Sequence, residues 1–71
     1  MKCIVTFHTI ADAMHMEALC GEAKIPGRLI PVPRELSSGC GISWASEVDQ
    51  ENNLKALIER EDFDIESMVL L

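Results

Sequence analysis

Lys2-Cys3-Ile4-Val5-Thr6-Phe7-His8-Thr9-Ile10-Ala11-Asp12-Ala13 is the stretch on which the fold turns. Over residues 2–8 the side chains alternate, with Cys3, Val5 and Phe7 on one face and Ile4, Thr6 and His8 on the other. That is the two-residue period of a half-buried strand. The period changes at Thr9. A threonine hydroxyl accepts from the free N–H groups of a helix's first turn, and Asp12, three residues on, puts an acid where the helix dipole favours one. A helix over residues 10–23 is predicted, with Ala13, Met16, Leu19, Cys20 and Ala23 along one stripe. Pro26-Gly27 ends it and turns the chain.

Outward from that stretch, residues 28–32 read as a second strand. Its prolines donate nothing to a ladder, so it belongs at a sheet edge and stops by Pro33. Residues 35–41 read as loop, and residues 42–45 as a short third strand with Ile42 and Trp44 on one face. Ser46 and Asp49 are candidate caps for a second helix over residues 48–60, which turns Leu54, Leu57 and Ile58 inward. Residues 63–70 close the chain as a fourth strand, with Phe63, Ile65 and Val69 on one face. The order predicts an α+β fold, a ferredoxin-like βαββαβ sandwich with one antiparallel four-stranded sheet and two helices on one face. Right-handed crossovers place strand 3 between strands 1 and 2. The loop after strand 2 then shares an end of the sheet with the strand 1–helix 1 junction, which brings Cys40 towards His8, Thr9 and the start of helix 1.

Seventy-one residues make one small domain, 1–71. A chain this short buries a smaller share of its surface than larger domains do, so self-association into a homo-oligomer is a natural second source of stability. Its cysteines number three, with no Cys-x-x-Cys pair, and no secretory leader is expected. No apolar run approaches the roughly 18 residues of a membrane span. A reduced, soluble, cytoplasmic protein is expected, without a membrane partner. The net charge is −6. Residues 1–44 balance, whereas residues 45–71 set Lys55 and Arg60 against eight acids. Such a chain repels phosphate backbones, and no basic stripe offsets this, so nucleic acid is not an expected partner. The acids read as a solvated helix face and loop, or else as a docking surface for a basic partner.

The chemistry concentrates at Gly39-Cys40-Gly41. Cysteine is usually buried, yet this one lies in a small, polar stretch flanked by glycines. Backbone N–H groups of Gly39, Gly41 and Ile42 are candidates for an anion nest, and Arg34 and Arg28 are candidate cations. His8 is a candidate base or hydrogen-bond donor. Ser37 and Ser38 are candidates for hydrogen bonds within the loop. The duller assignments are Cys3 and Cys20 as small core residues, His15 as a solvated side chain and Trp44 as sheet packing. The Cys and His spacings match no common zinc pattern, so no metal is expected. Phosphate-loop and dinucleotide fingerprints are absent, and no cofactor is expected.

Three segments together resemble a known family. They are Ile4-Val5-Thr6-Phe7-His8-Thr9 with Ala11-Asp12-Ala13-Met14, then Ile25-Pro26-Gly27-Arg28-Leu29-Ile30-Pro31-Val32-Pro33-Arg34, then Ser38-Gly39-Cys40-Gly41. The chain resembles the selenium/sulfur (Se/S) carrier-like proteins, small bacterial and archaeal chains mostly without assigned activity. The resemblance implies a carrier that holds sulfur or selenium as a persulfide or selenosulfide on Cys40, with Arg34 as the preceding arginine of the motif. It implies a cysteine desulfurase-type donor and an acceptor enzyme as partners, and a carrier more than a true enzyme. Established sulfur-relay proteins use Cys-Pro-x-Pro at a helix start, which this chain lacks. Two other readings stand beside this one: a non-catalytic interaction or regulatory module that docks through its open sheet face or its acidic helix, with Ile4, Thr6 and Trp44 as candidate contacts, and a thiol redox sensor in which Cys40 pairs with a second chain.

Overall fold

The Cys3-Val5-Phe7 stripe leaves one face of the first strand apolar, and an apolar face needs a cover. In the computed structural model, which describes residues 1–36 and 39–71, helical side chains supply it. The elements are β1 (Lys2–Thr6), α1 (Ile10–Ala23), β2 (Arg28–Pro31), β3 (Ile42–Glu47), a 3-10 turn (Val48–Gln50), α2 (Glu51–Arg60) and β4 (Ser67–Leu70). Ala13, Met16 and Cys20 of α1 and Leu54 and Leu57 of α2 share one core with Cys3, Val5, Phe7 and Trp44. The strands form one antiparallel sheet in the order β2-β3-β1-β4. β3 lies between β2 and β1, and the proline-bearing β2 is at an edge, as read from the sequence. Ser37 and Ser38 lie outside the described residues.

The start of α1 is built as its sequence indicates. Thr9 is extended, and its Oγ1 accepts the Asp12 N–H at 3.1 Å. Its other end differs in detail. Lys24 takes the left-handed conformation (φ 59°), and its N–H turns back to the carbonyls of Cys20 and Gly21. The helix therefore closes before Pro26, and Ile25 drops into the core.

Three sequence-based expectations change. Ser46 does not cap a helix, because β3 continues through it to Glu47. Its hydroxyl accepts the Trp44 indole N–H at 2.8 Å and donates to the Pro26 carbonyl at 2.8 Å. This satisfies two buried polar groups and ties the start of β2 to β3. α2 begins later, at Glu51, with Gln50 before it and no side-chain cap; its hold on the sheet is the burial of Leu54 and Leu57. Val69 does not share a face with Phe63 and Ile65. It pairs with Ile4, while its neighbour Met68 pairs with Val5 and packs on the core.

The second sheet face is better filled than an open face need be. Ile4, Thr6, Ser43 and Ala45 are all buried. Each sits on a central strand, with Ile30 and Val69 as same-face neighbours from the edges. Thr6 Oγ1 and Ser67 Oγ are 2.6 Å apart. Ile4 and Thr6 on this face, and Trp44 on the core face, are therefore not available as exposed contacts, which corrects their choice as contacts of an interaction module.

Candidate functional site

The loop between β2 and β3 begins by extending their ladder. The Val32 N–H donates to the Gly41 carbonyl at 3.0 Å, one step beyond the Pro31–Ile42 pair. A turn follows, closed by the Leu36 N–H on the Pro33 carbonyl at 2.9 Å, with Arg34 and Glu35 at its exposed corner. Where the loop returns, Gly39 lies against the end of β1. A Cβ placed on it would stand 3.1 Å from the His8 carbonyl oxygen. Gly41 has φ 77°, a backbone conformation that side chains other than glycine adopt at a cost. The two glycines thus serve different ends: one permits close approach, the other a left-handed turn.

Cys40 lies between them, half-buried, packed against the core near Ile42. Its Sγ donates to the Ile42 carbonyl at 3.1 Å. The sulfur is thus neither fully presented to solvent nor sealed. A sulfur that has lost its proton would face a carbonyl oxygen here, so it must swing away from Ile42 to act as a nucleophile.

The topology brings His8 to the loop, as expected, but faces it towards carboxylates. Its Nδ1 is 3.5 Å from Glu66 Oε1 and its Nε2 is 3.9 Å from Asp64 Oδ1. No hydrogen bond joins His8 to Cys40 among the described residues. The Gly39 N–H, a candidate for an anion nest, donates to Glu66 Oε1 at 3.3 Å. Arg34 is exposed and makes no ion pair among the described residues. Arg28 starts β2 opposite Ala45, at the far end of the strand from Gly41.

Glu66 was not legible as a site residue. It stands 27 residues from Gly39. It arrives at the loop because its own N–H donates to the Thr6 carbonyl at 2.8 Å, just ahead of the β1–β4 ladder. His15 is exposed, and its ring lies against Phe63 with centroids 5.2 Å apart.

The other thiols are of a different kind. Cys3 and Cys20 have no exposed surface. Burial pushes the Cys20 thiol up to about 11. Burial, and then the Glu51 carboxylate, raises Cys3 as well, against an opposing effect of Lys55. Both states hold these protons at neutral pH, and an unfolded cysteine releases its own first, at about pH 8.5. Above that the unfolded chain binds fewer protons, so stability falls as pH rises towards 11, by on the order of 2 kcal/mol for Cys20. Urea midpoints at about pH 8 and about pH 10.5 should show this decline, and Cys20→Ala should make it shallower. Equal declines in both proteins would refute the assignment to Cys20.

Among the described residues no group of three or more His, Cys, Asp or Glu side chains is placed to hold a metal ion. No helix among them is long and apolar enough to cross a membrane. A family model described as "Putative Se/S carrier protein-like" matches residues 2–70. The chain belongs to that family. Within this Se/S carrier-like chain the match spans both the β1–α1 junction and the Cys40 loop, the two segments that the fold packs together. Neither the curated proteins nor the solved structures searched contain a match.

Proposed function

We propose that this Se/S carrier-like protein holds sulfur, or selenium, on Cys40 and passes it between two other proteins. The observation that carries the reading is the contrast among its three free thiols. In a chain of this family, Cys40 alone of the three is partly exposed, on a loop, while Cys3 and Cys20 are sealed in the core. The strand order β2-β3-β1-β4 reads as the ferredoxin-like arrangement, which sets that loop beside the end of β1. Three unpaired thiols suit a reducing cytoplasm.

The donor is a cysteine desulfurase-type protein carrying a persulfide. Cys40 gives its proton to solvent, and its sulfur attacks the donor's terminal sulfane sulfur. The donor's S–S bond breaks, its cysteine leaves as a thiolate, and a new S–S bond forms on Cys40. The sulfane sulfur keeps its oxidation level, so no external oxidant or reductant is consumed. A nucleophile of the acceptor then takes the terminal sulfur, and Cys40 leaves as the thiolate. Arg34 is exposed on the turn before Cys40, which supports a role as a contact for the partner protein.

The test is to incubate the protein with a desulfurase and free cysteine and map adducts by mass spectrometry. One added sulfur on the Cys40 peptide is expected, with near-complete loss in Cys40→Ser and nothing on Cys3 or Cys20. No adduct, or equal loading of Cys40→Ser, would end the proposal.

A further inference from the structure

We infer that Glu66 is a positioning residue for Cys40: it holds the Gly39-Cys40-Gly41 turn against the end of β1, and release of this hold is the step that frees the sulfur for a donor. Three contacts meet at this residue, two on its side chain and one on its backbone. Glu66 Oε1 accepts the Gly39 N–H at 3.3 Å. The same oxygen is 3.5 Å from His8 Nδ1. Its backbone is fixed to β1 by the 2.8 Å bond to the Thr6 carbonyl. Glu66 is therefore anchored to the sheet at one end and to the loop at the other. Its side chain is 29% exposed, against 85% for Asp64, so it lies down on the protein where its neighbour reaches into water.

The hold is transmitted through one peptide. Gly39 precedes Cys40, and the Cys40 Sγ is turned in on Ile42. While Gly39 is tied down and Gly41 keeps its left-handed turn, the sulfur has little freedom to swing outward. Breaking the Gly39–Glu66 bond loosens the peptide before the cysteine without touching the core. The charged groups facing Glu66 are His8 and, beyond it, Asp64; no lysine or arginine pairs with it among the described residues. The carboxylate therefore serves the loop N–H and the His8 imidazole, with no lysine or arginine on it among the described residues.

The inference rests on the carrier reading only in taking Cys40 as the working thiol, and its test does not require sulfur transfer. The folded protein is alkylated under native conditions, and the rate at each cysteine is read by peptide mass spectrometry. Glu66→Ala, which removes the acceptor, is expected to speed alkylation of Cys40 roughly fivefold, the equilibrium weight of one net hydrogen bond. Cys3 and Cys20 should stay protected. Glu66→Gln keeps an acceptor oxygen for Gly39 and is expected to restore the parent rate to within about twofold. An unchanged rate in Glu66→Ala, or a Glu66→Gln rate equal to that of Glu66→Ala, overturns the inference. If Cys3 and Cys20 also react in Glu66→Ala, that variant has opened globally and the unmutated protein decides. Its Gly39 amide proton resonance should move upfield as Glu66 is protonated, because the N–H loses an ionised acceptor. A Gly39 resonance that stays put while the protein remains folded overturns the inference just as firmly. Failure of persulfide loading with these results intact would remove the carrier reading and leave the positioning role standing.

Discussion

Gly27→Ala is expected to lower the stability of this protein by about 1–3 kcal/mol, the range for forcing atoms into a space already filled. A methyl group at Gly27 would stand 2.6 Å from the Ala45 carbonyl oxygen, 2.6 Å from Ser46 Oγ and 2.6 Å from Trp44 Cζ2. None of the three can step aside cheaply. Ala45 is on β3, paired with Ile4 on one side and Arg28 on the other. Ser46 Oγ is held between the Trp44 indole and the Pro26 carbonyl. Trp44 is 3% exposed and enclosed by the core. The strain must fall on the start of β2, which would lift from β3 and break the Ser46–Pro26 bond. Gly21 supplies the control within the same chain. It lies in α1, and a methyl group there meets nothing within 4 Å. Gly21→Ala should therefore raise stability by about 0.4–1 kcal/mol, through helix propensity and a stiffer unfolded chain. Denaturant midpoints of the two variants should move in opposite directions. A Gly27→Ala midpoint close to that of the parent would show that the two strands do not approach as closely as described.

That contrast marks the boundary of what the sequence discloses. Residues 1–23 were legible because their signals are local: an alternating run, a capping threonine with an acid three residues on, and an apolar stripe at helical spacing. Gly27 read as a turn residue, since one sequence cannot show what faces its missing side chain. Ser46 read as a cap for the same reason, as its partners are the indole two residues back and a carbonyl 20 residues away. The face of Val69 was misplaced because alternation was carried back through residues 63–66, which are not strand. Phe63 and Ile65 pack inward from a connecting segment, where strand parity has no hold. At the site, topology alone brought the Cys40 loop to the His8 end of β1, but did not show that Gly39 is the residue that meets the His8 carbonyl. Glu66 was not legible either, since nothing near it in sequence distinguishes it from the other acids of residues 45–71. The carboxylate that shapes the Cys40 loop is found only once β4 is paired with β1.

Phe7→Ala is expected to cost about 3–5 kcal/mol, the range for truncating a buried aromatic side chain. Phe7 has no exposed surface and is the largest of the fully buried side chains. It meets Phe63 edge-on, with ring centroids 6.1 Å apart and planes at 65°. Phe63 in turn carries the ring of His15. Truncation opens a void between the end of β1 and the segment that leads to β4, and the surrounding backbone can close only part of it. A chain of this length has a total stability of roughly 4–10 kcal/mol by the usual per-residue range, so the loss approaches the whole. The effect also reaches the site. His8 follows Phe7 directly, and the His8 carbonyl is the surface on which Gly39 rests. As Phe7→Ala populates its unfolded state, Cys3 and Cys20 should become open to alkylation together with Cys40, erasing the contrast among the three thiols on which the proposed carrier role rests. Phe7→Leu, which keeps most of the volume, should cost less than about 1.5 kcal/mol and preserve that contrast. Thermal melts with parallel alkylation of all three cysteines would separate the two variants. A Phe7→Ala protein that melts near the parent and still shields Cys3 and Cys20 would mean that the core does not depend on this ring, and that the junction beneath Gly39 is held by something else.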